Sequence, residues 1–257
     1  ASLAPSGYIV LAESPGAMTT NYGVSALGPF AGNLANDGEK LTLRNAEGQT
    51  IDEVEYGVGS PWPTAAAGEG GSMELINPSL DNNLGGSWRV SGYPNVTNPT
   101  PGQKNSAWST NAAPQVRQVS HAPKQATNWQ PIVVTAKVTD SNGISSVVLK
   151  YQVVPPGQFV PAYLPLDNAT VNSAPLTPLT PNPAFTNEAS WTNVAMADNG
   201  VAPDATAGDG IYAGTIPGQT NRALVRYRIK ATDGTGAGEI VPYADDSSKN
   251  YACFVYN

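Results

Sequence analysis

Between residues 197 and 210 the chain reads ADNGVAPDATAGDG, placing Asp198, Asp204 and Asp209 among glycines and small residues. Calcium takes about 6–8 oxygen ligands on a compliant backbone, and such a loop offers both carboxylates and carbonyls. The intervals of six and five residues between the aspartates are not those of an EF-hand. A second reading has each aspartate bonding its own backbone and closing turns. Both readings stay open for this loop, and calcium is the one cofactor for which the sequence offers a place.

Other candidates for chemistry are sparse. A hydrolytic triad needs an imidazole held by a partner group. His121 is the only histidine, it lies just before Pro123 at a strand end, and no Gly-x-Ser-x-Gly elbow accompanies it. A solvated or inter-domain histidine is the expectation. Cys253, the single cysteine, sits in YACFVY, where it reads as a small buried hydrophobe with nothing nearby to lower its pKa. Asp245 and Asp246 are adjacent, so in a strand or turn they point apart. The glycine run at 68–71 lacks the Lys-Ser/Thr of a phosphate loop, and no zinc spacing occurs. The sequons at Asn95 and Asn168 are short enough to arise by chance. No catalytic residues are expected, and the chain reads as a non-enzyme.

Trp62, Trp88, Trp108 and Trp129 have two readings. Aromatics dominate the cores and rims of β-sandwiches, which favours packing. The alternative is a platform for sugar rings, which also requires convergent polar groups.

The elements that would hold these residues are strands. Residues 40–44 alternate apolar and polar, residues 45–48 supply a turn with Gly48 free for positive φ, and residues 50–56 return as a hairpin. Ile51 is out of phase with Val54 and Tyr56, which predicts a bulge or a strand covered on both sides. Further strands are predicted at 8–12, 72–76, 88–90, 116–121, 132–140, 145–154, 191–196, 210–217, 223–232 and 251–256, with Asn142 and Gly143 turning one pair. Residues 14–36 read as long loops with at most one weak strand. Residues 155–188, with eight prolines, read as a long connection with at most one strand near 159–164. No amphipathic helix is evident, so the fold class is all-β: two tandem immunoglobulin-like β-sandwich domains at 1–107 and 115–257, joined by a linker at 108–114.

Charged residues make only 13% of the chain and the net charge is −7, which leaves no basic footprint for nucleic acid or an anionic membrane. No apolar run approaches the ~20 residues of a membrane helix, so no membrane insertion is expected. The acidic makeup, rich in Thr, Asn, Gly and Pro, points to an extracellular or cell-surface location.

The order NDGEKLTL, turn, GQTIDEVEY, PWP, GEGGSMELINP, then Asp81, Trp88, Ser91 and a closing TPGQKN resembles the bacterial lamin tail domain over about residues 3–105. The resemblance implies an immunoglobulin-like sandwich without catalytic residues, used in adhesion or scaffolding. The segment VTAKVTDSNGISSVVLKYQV, with the aspartate loop running into GIYAGTIP, resembles immunoglobulin- and fibronectin type III-like modules of bacterial surface proteins. In such proteins the tandem sometimes precedes a spore-coat-H-like kinase domain. The family's earlier strands have no counterpart ahead of residue 3. The expectation is therefore that the first sandwich is completed by strand pairing with other copies of the chain or neighbouring domains of a longer one, possible donors being 251–256 and 159–164. Head-to-tail pairing of this kind would propagate into a filament. Polysaccharide is the alternative partner, through the tryptophans.

Overall fold

A computed structural model describes residues 3–257, and its chain is mostly β, arranged as several antiparallel sheets. It divides into two compact units. The first comprises Ala1–Ala112 with Tyr243–Ser247, and the second Ala113–Pro242 with Ser248–Asn257. The first unit is thus discontinuous, and it reclaims a short piece that the sequence reading assigns to the second module.

In the first unit, helix α1 (Pro15–Tyr22) begins where Ser14 Oγ accepts the Ala17 amide at 3.4 Å, and it ends at left-handed Gly23. It occupies a stretch the sequence presents as loop, because its apolar residues mark no face and none of its residues is buried. Strands β1 (Glu39–Arg44) and β2 (Thr50–Tyr56) form the expected hairpin. Asn45 Oδ1 accepts the Gln49 amide at 2.8 Å, and Gly48 has φ +81°. The ladder pairs Leu43 with Asp52 and then Arg44 with Thr50, so Ile51 is the extra residue of the bulge. A second two-stranded sheet joins β3 (Met73–Leu75) to β4 (Trp88–Val90). Residues 8–12, expected as a strand, make a single bridge, Leu11 to Leu27.

This unit has little apolar core. Among residues 3–112 the buried apolar side chains are Ala12, Pro63, Ala65, Ile76 and Val90. Polar groups tie its segments together instead. Glu74, only 4% exposed, accepts from Thr100 Oγ1 at 2.9 Å, Ser106 Oγ at 2.7 Å and the Ala107 amide at 3.0 Å. One carboxylate of β3 thereby holds the closing segment at 100–107. Arg89, also buried, donates to the carbonyls of Gly86 and Trp88 and lies over the rings of Tyr243 and Tyr93, at 4.1 and 5.4 Å. That cation–π contact fastens the returning piece.

The second unit is sandwich-like. One sheet has the order β5 (Gln115–Ala122), β6 (Ile132–Thr139), β9 (Ile211–Ile216). The other contains β7 (Ile144–Val154), β8 (Thr192–Met196), β10 (Leu224–Asp233), β11 (Gly238–Val241) and β12 (Tyr251–Phe254), with β10 at its centre. One edge of β10 runs along β7; the other is shared by β12 at Leu224–Tyr227 and β11 at Ile229–Thr232. Period-2 alternation puts Ile132, Val134, Ala136 and Val138 inside, together with Leu149, Val225 and Ile229. At Gly214 a Cβ would stand 3.1 Å from Met196, so a bare backbone lets the layers approach.

The opposite face of β10 carries Arg226 and Arg228, and these order the long connection. It contains α2 (Asn168–Ser173) and α3 (Pro183–Thr186) but no strand at 159–164, only a bridge from Tyr163 to Pro181. The prolines there withhold the amides a ladder needs. Arg226 donates to the Val160 carbonyl at 2.6 Å and to Gln152 Oε1. Buried Phe185 receives Arg226 and Arg228 on its ring at 4.7 and 4.6 Å, and Arg228 also covers Trp191 at 4.1 Å. Burial pushes both guanidinium pKa values down.

Replacing Glu74 with Ala should destabilise the first unit by about 3 kcal/mol, because several inward donors lose a charged acceptor. Glu74→Gln should restore only part, since its amide nitrogen presents a donor to other donors. Urea unfolding followed by tryptophan fluorescence measures both; an unchanged midpoint for Glu74→Ala would remove Glu74 as the hub.

Candidate functional site

The aspartate loop leaves β8 and enters β9, and those strand ends are bridged by Ala197 and Ala213. Fixing the two ends brings Asp198, Asp204 and Asp209 together, with one carboxylate oxygen of each within 4.8 Å of the others. Two oxygens at about 2.4 Å from one ion are at most ~4.8 Å apart, so the trio meets the minimum geometry for calcium. The same carboxylates also serve the loop's own backbone. Asp198 accepts the amides of Gly208 at 2.6 Å and Gly210 at 2.9 Å. Asp204 accepts those of Asn199 and Gly200, both at 2.6 Å, and Asp209 that of Ile211 at 2.8 Å. The Gly200 amide first, then that of Asn199, holds the Asp204 carboxyl below its ordinary pKa.

The four tryptophans are placed differently. Trp62 and Trp88 lie together, ring centroids 6.1 Å apart and tilted by 36°, and Trp88 Nε1 donates to the Asn82 carbonyl. Trp62 also lines an open cleft of about 420 Å³ with Lys40, Glu53, Glu55 and Asn83, so an aromatic face and convergent polar groups meet there. Trp108 is covered by Lys104, whose Nζ stands 3.2 Å from the ring centroid. Trp129 belongs to the second unit and is 64% exposed.

On the other face of the β1–β2 hairpin the apolar residues are open to solvent. Leu41, Leu43 and Val54 line a cleft of about 440 Å³ with Leu11, Phe30 and Leu34. Leu34, Leu41 and Val54 continue into a second cleft of about 380 Å³ that reaches Met73 and Trp88. The alternation that predicts a face against a core therefore produces an exposed apolar groove, with Leu43 58% exposed. The sequence signalled the stripe but not the absence of a cover.

His121 is taken up by structure. Its Nδ1 lies 2.9 Å from Tyr227 Oη and its Nε2 3.3 Å from the Lys124 carbonyl. A carbonyl only accepts, so Nε2 carries the proton and Nδ1 accepts from the tyrosine. Tyr227 is buried and its pKa is raised by desolvation. Cys253 is buried, and desolvation raises its thiol pKa. Asp245 and Asp246 are buried within the returning piece of the first unit. Glu74 and Arg89, the polar residues with the most structural work, were not singled out by motif; their signal was an acidic and a basic residue in short apolar strands.

No family model and no curated protein matches this chain. Among the described residues, no helix is long and apolar enough to cross a membrane.

Two outcomes are expected for the aspartate loop. Its amide donors already meet the carboxylates, so the melting temperature should be the same in millimolar calcium and in EDTA. A calcium-dependent rise of several degrees would assign the trio to a metal instead. Because the Asp204 pKa is lowered on folding, its contribution is present above the ordinary carboxylate pKa of about 4 and is lost as pH falls through the depressed folded value. Wild type should therefore melt above Asp204→Asn at neutral pH, and the difference should shrink in acid. A constant difference across the pH range would contradict this linkage.

Proposed function

We propose that the chain is a non-catalytic structural or adhesive module of a bacterial extracellular or surface protein. In this reading it consists of two immunoglobulin-like β-sandwiches, the first related to the lamin tail domain. The observation that carries it is the commitment of the chemically capable side chains to the fold. Both ring nitrogens of His121 are bonded, to Tyr227 and Lys124. Glu74 holds the segment at 100–107. The three loop aspartates accept backbone amides. A general base needs a free lone pair within reach of a substrate proton, and the one acceptor nitrogen of His121 is taken up by Tyr227.

A second reading rests on Trp62. Its position in a cleft with Lys40, Glu53, Glu55 and Asn83 suits a sugar, which stacks on an aromatic face and bonds to polar neighbours through its hydroxyls.

Chromogenic esters, glycosides and peptides should show no turnover above the buffer rate. Turnover that disappears on changing one residue, His121→Ala for example, would overturn the non-catalytic reading. Soluble polysaccharides titrated against tryptophan fluorescence test the second. Binding that Trp62→Ala reduces at least tenfold supports a carbohydrate module, and unchanged fluorescence across the series removes it.

A further inference from the structure

A β-strand presents backbone donors and acceptors on two edges, and the β1–β2 hairpin manages only one. On β2, the outward amide of Glu55 is met by Asn83 Oδ1 at 3.0 Å, and that of Glu53 by Asp52 Oδ1 at 2.9 Å. Amides aimed away from the partner strand mark Glu53 and Glu55 as members of non-hydrogen-bonded pairs. Their opposite numbers are Thr42 and Lys40. The N–H and C=O groups of Lys40 and Thr42 therefore face outward from β1, and no backbone or side-chain partner meets them among the described residues. Beside this edge lies the open groove of Leu11, Phe30, Leu34, Leu41 and Leu43, whose exposures run from 38 to 62%. Exposed apolar surface next to an unpaired edge is the arrangement that accepts an added strand: the backbone gives the ladder and alternate side chains fill the groove.

Charge decides between occupants. Residues 37–56 hold six acidic side chains against Lys40 and Arg44, a net −4 within the chain's −7. Lys40 is already matched by Glu53 at 2.7 Å. A second copy would bring the same negative field and be repelled, whereas a basic segment is drawn in. We propose that the outer edge of β1 is a docking site for an extended strand of another polypeptide in which apolar residues alternate with basic ones. This rests on the reading of the chain as a binding or structural module and names its partner's chemistry.

The test adds acetyl-(Val-Lys)4-amide to the full chain and follows amide exchange over residues 39–44. Its scrambled isomer and acetyl-(Val-Glu)4-amide serve as comparisons. The (Val-Lys)4 peptide should slow exchange at Lys40 and Thr42, and its affinity should fall as salt is raised. Thr42→Pro removes one outward donor, and prolines are tolerated on a free strand edge. Leu43→Asn leaves the backbone whole and spoils the groove. Each should weaken binding at least tenfold, so the proposal stands on Leu43→Asn if the proline variant misfolds. No binding up to millimolar peptide, protection confined to other residues, or equal binding of either comparison peptide would overturn it. A dimer of the chain alone that Leu43→Asn dissolves would also overturn it, in favour of a second copy. Turnover assays decide the non-catalytic reading separately, so either can fail while the other holds.

Discussion

Every extended segment carries hydrogen-bonding groups on both sides, and an amide buried without a partner costs on the order of 1–3 kcal/mol. The second unit meets that demand through β10, a strand occupied along both edges. β7 runs beside it over nearly its whole length, while β12 and β11 divide the other side. With its backbone satisfied, the strand's two faces are free for different tasks. Val225, Tyr227 and Ile229 go into the core, and Arg226 and Arg228 form a cationic platform. The proline-rich connection then lies down on that platform through Phe185 and Trp191, with no sheet of its own. Remove the pairing of β10 and both core and connection lose their support.

The first unit solves the same problem with fewer strands. Its sheets are two-stranded and its buried apolar set is small, so directional bonds to charged groups carry more of the cohesion. Glu74 and Arg89 sit on neighbouring strands and are paired across the ladder. One gathers hydroxyls and an amide from the closing segment; the other gathers carbonyls and two aromatic rings. Charged groups buried in this manner specify geometry well but contribute less net stability than an equal volume of apolar packing. This uneven construction also leaves a leucine-lined face uncovered.

Strand positions were legible in the sequence because alternation and turn residues are local signals. The hairpin at 39–56 shows this, including its bulge, since Ile51 breaks the phase within a few residues of where the ladder slips. The aspartate loop was legible for the same reason: its residues are near in sequence and the strand ends bring them near in space. What failed depends on distant partners. Residues 8–12 have a strand's composition, but composition does not supply a neighbour to pair with. Helix α1 has caps but no apolar face, so periodicity passed over it. β11 was missed because Gly238–Val241 is short and owes its form to its register on β10. Nothing in the aspartates and small residues around 243–247 announces that this piece belongs with Arg89.

That last piece affects the order in which the protein can be made. The first unit emerges from the ribosome almost complete, yet Tyr243–Ser247 is still about 130 residues away. At roughly 5–20 residues per second, translation reaches it on the order of ten seconds later. Through that interval the nascent first unit has no Tyr243 ring for its arginine, and the intervening strands must be synthesised before the piece arrives. A single proteolytic cut between residues 112 and 113 cannot release either unit whole, because the thread passes between them again at 242–243 and 247–248. Domain dissection of this protein therefore requires a split chain or a redesigned loop, with residues 243–247 supplied to the first unit in trans.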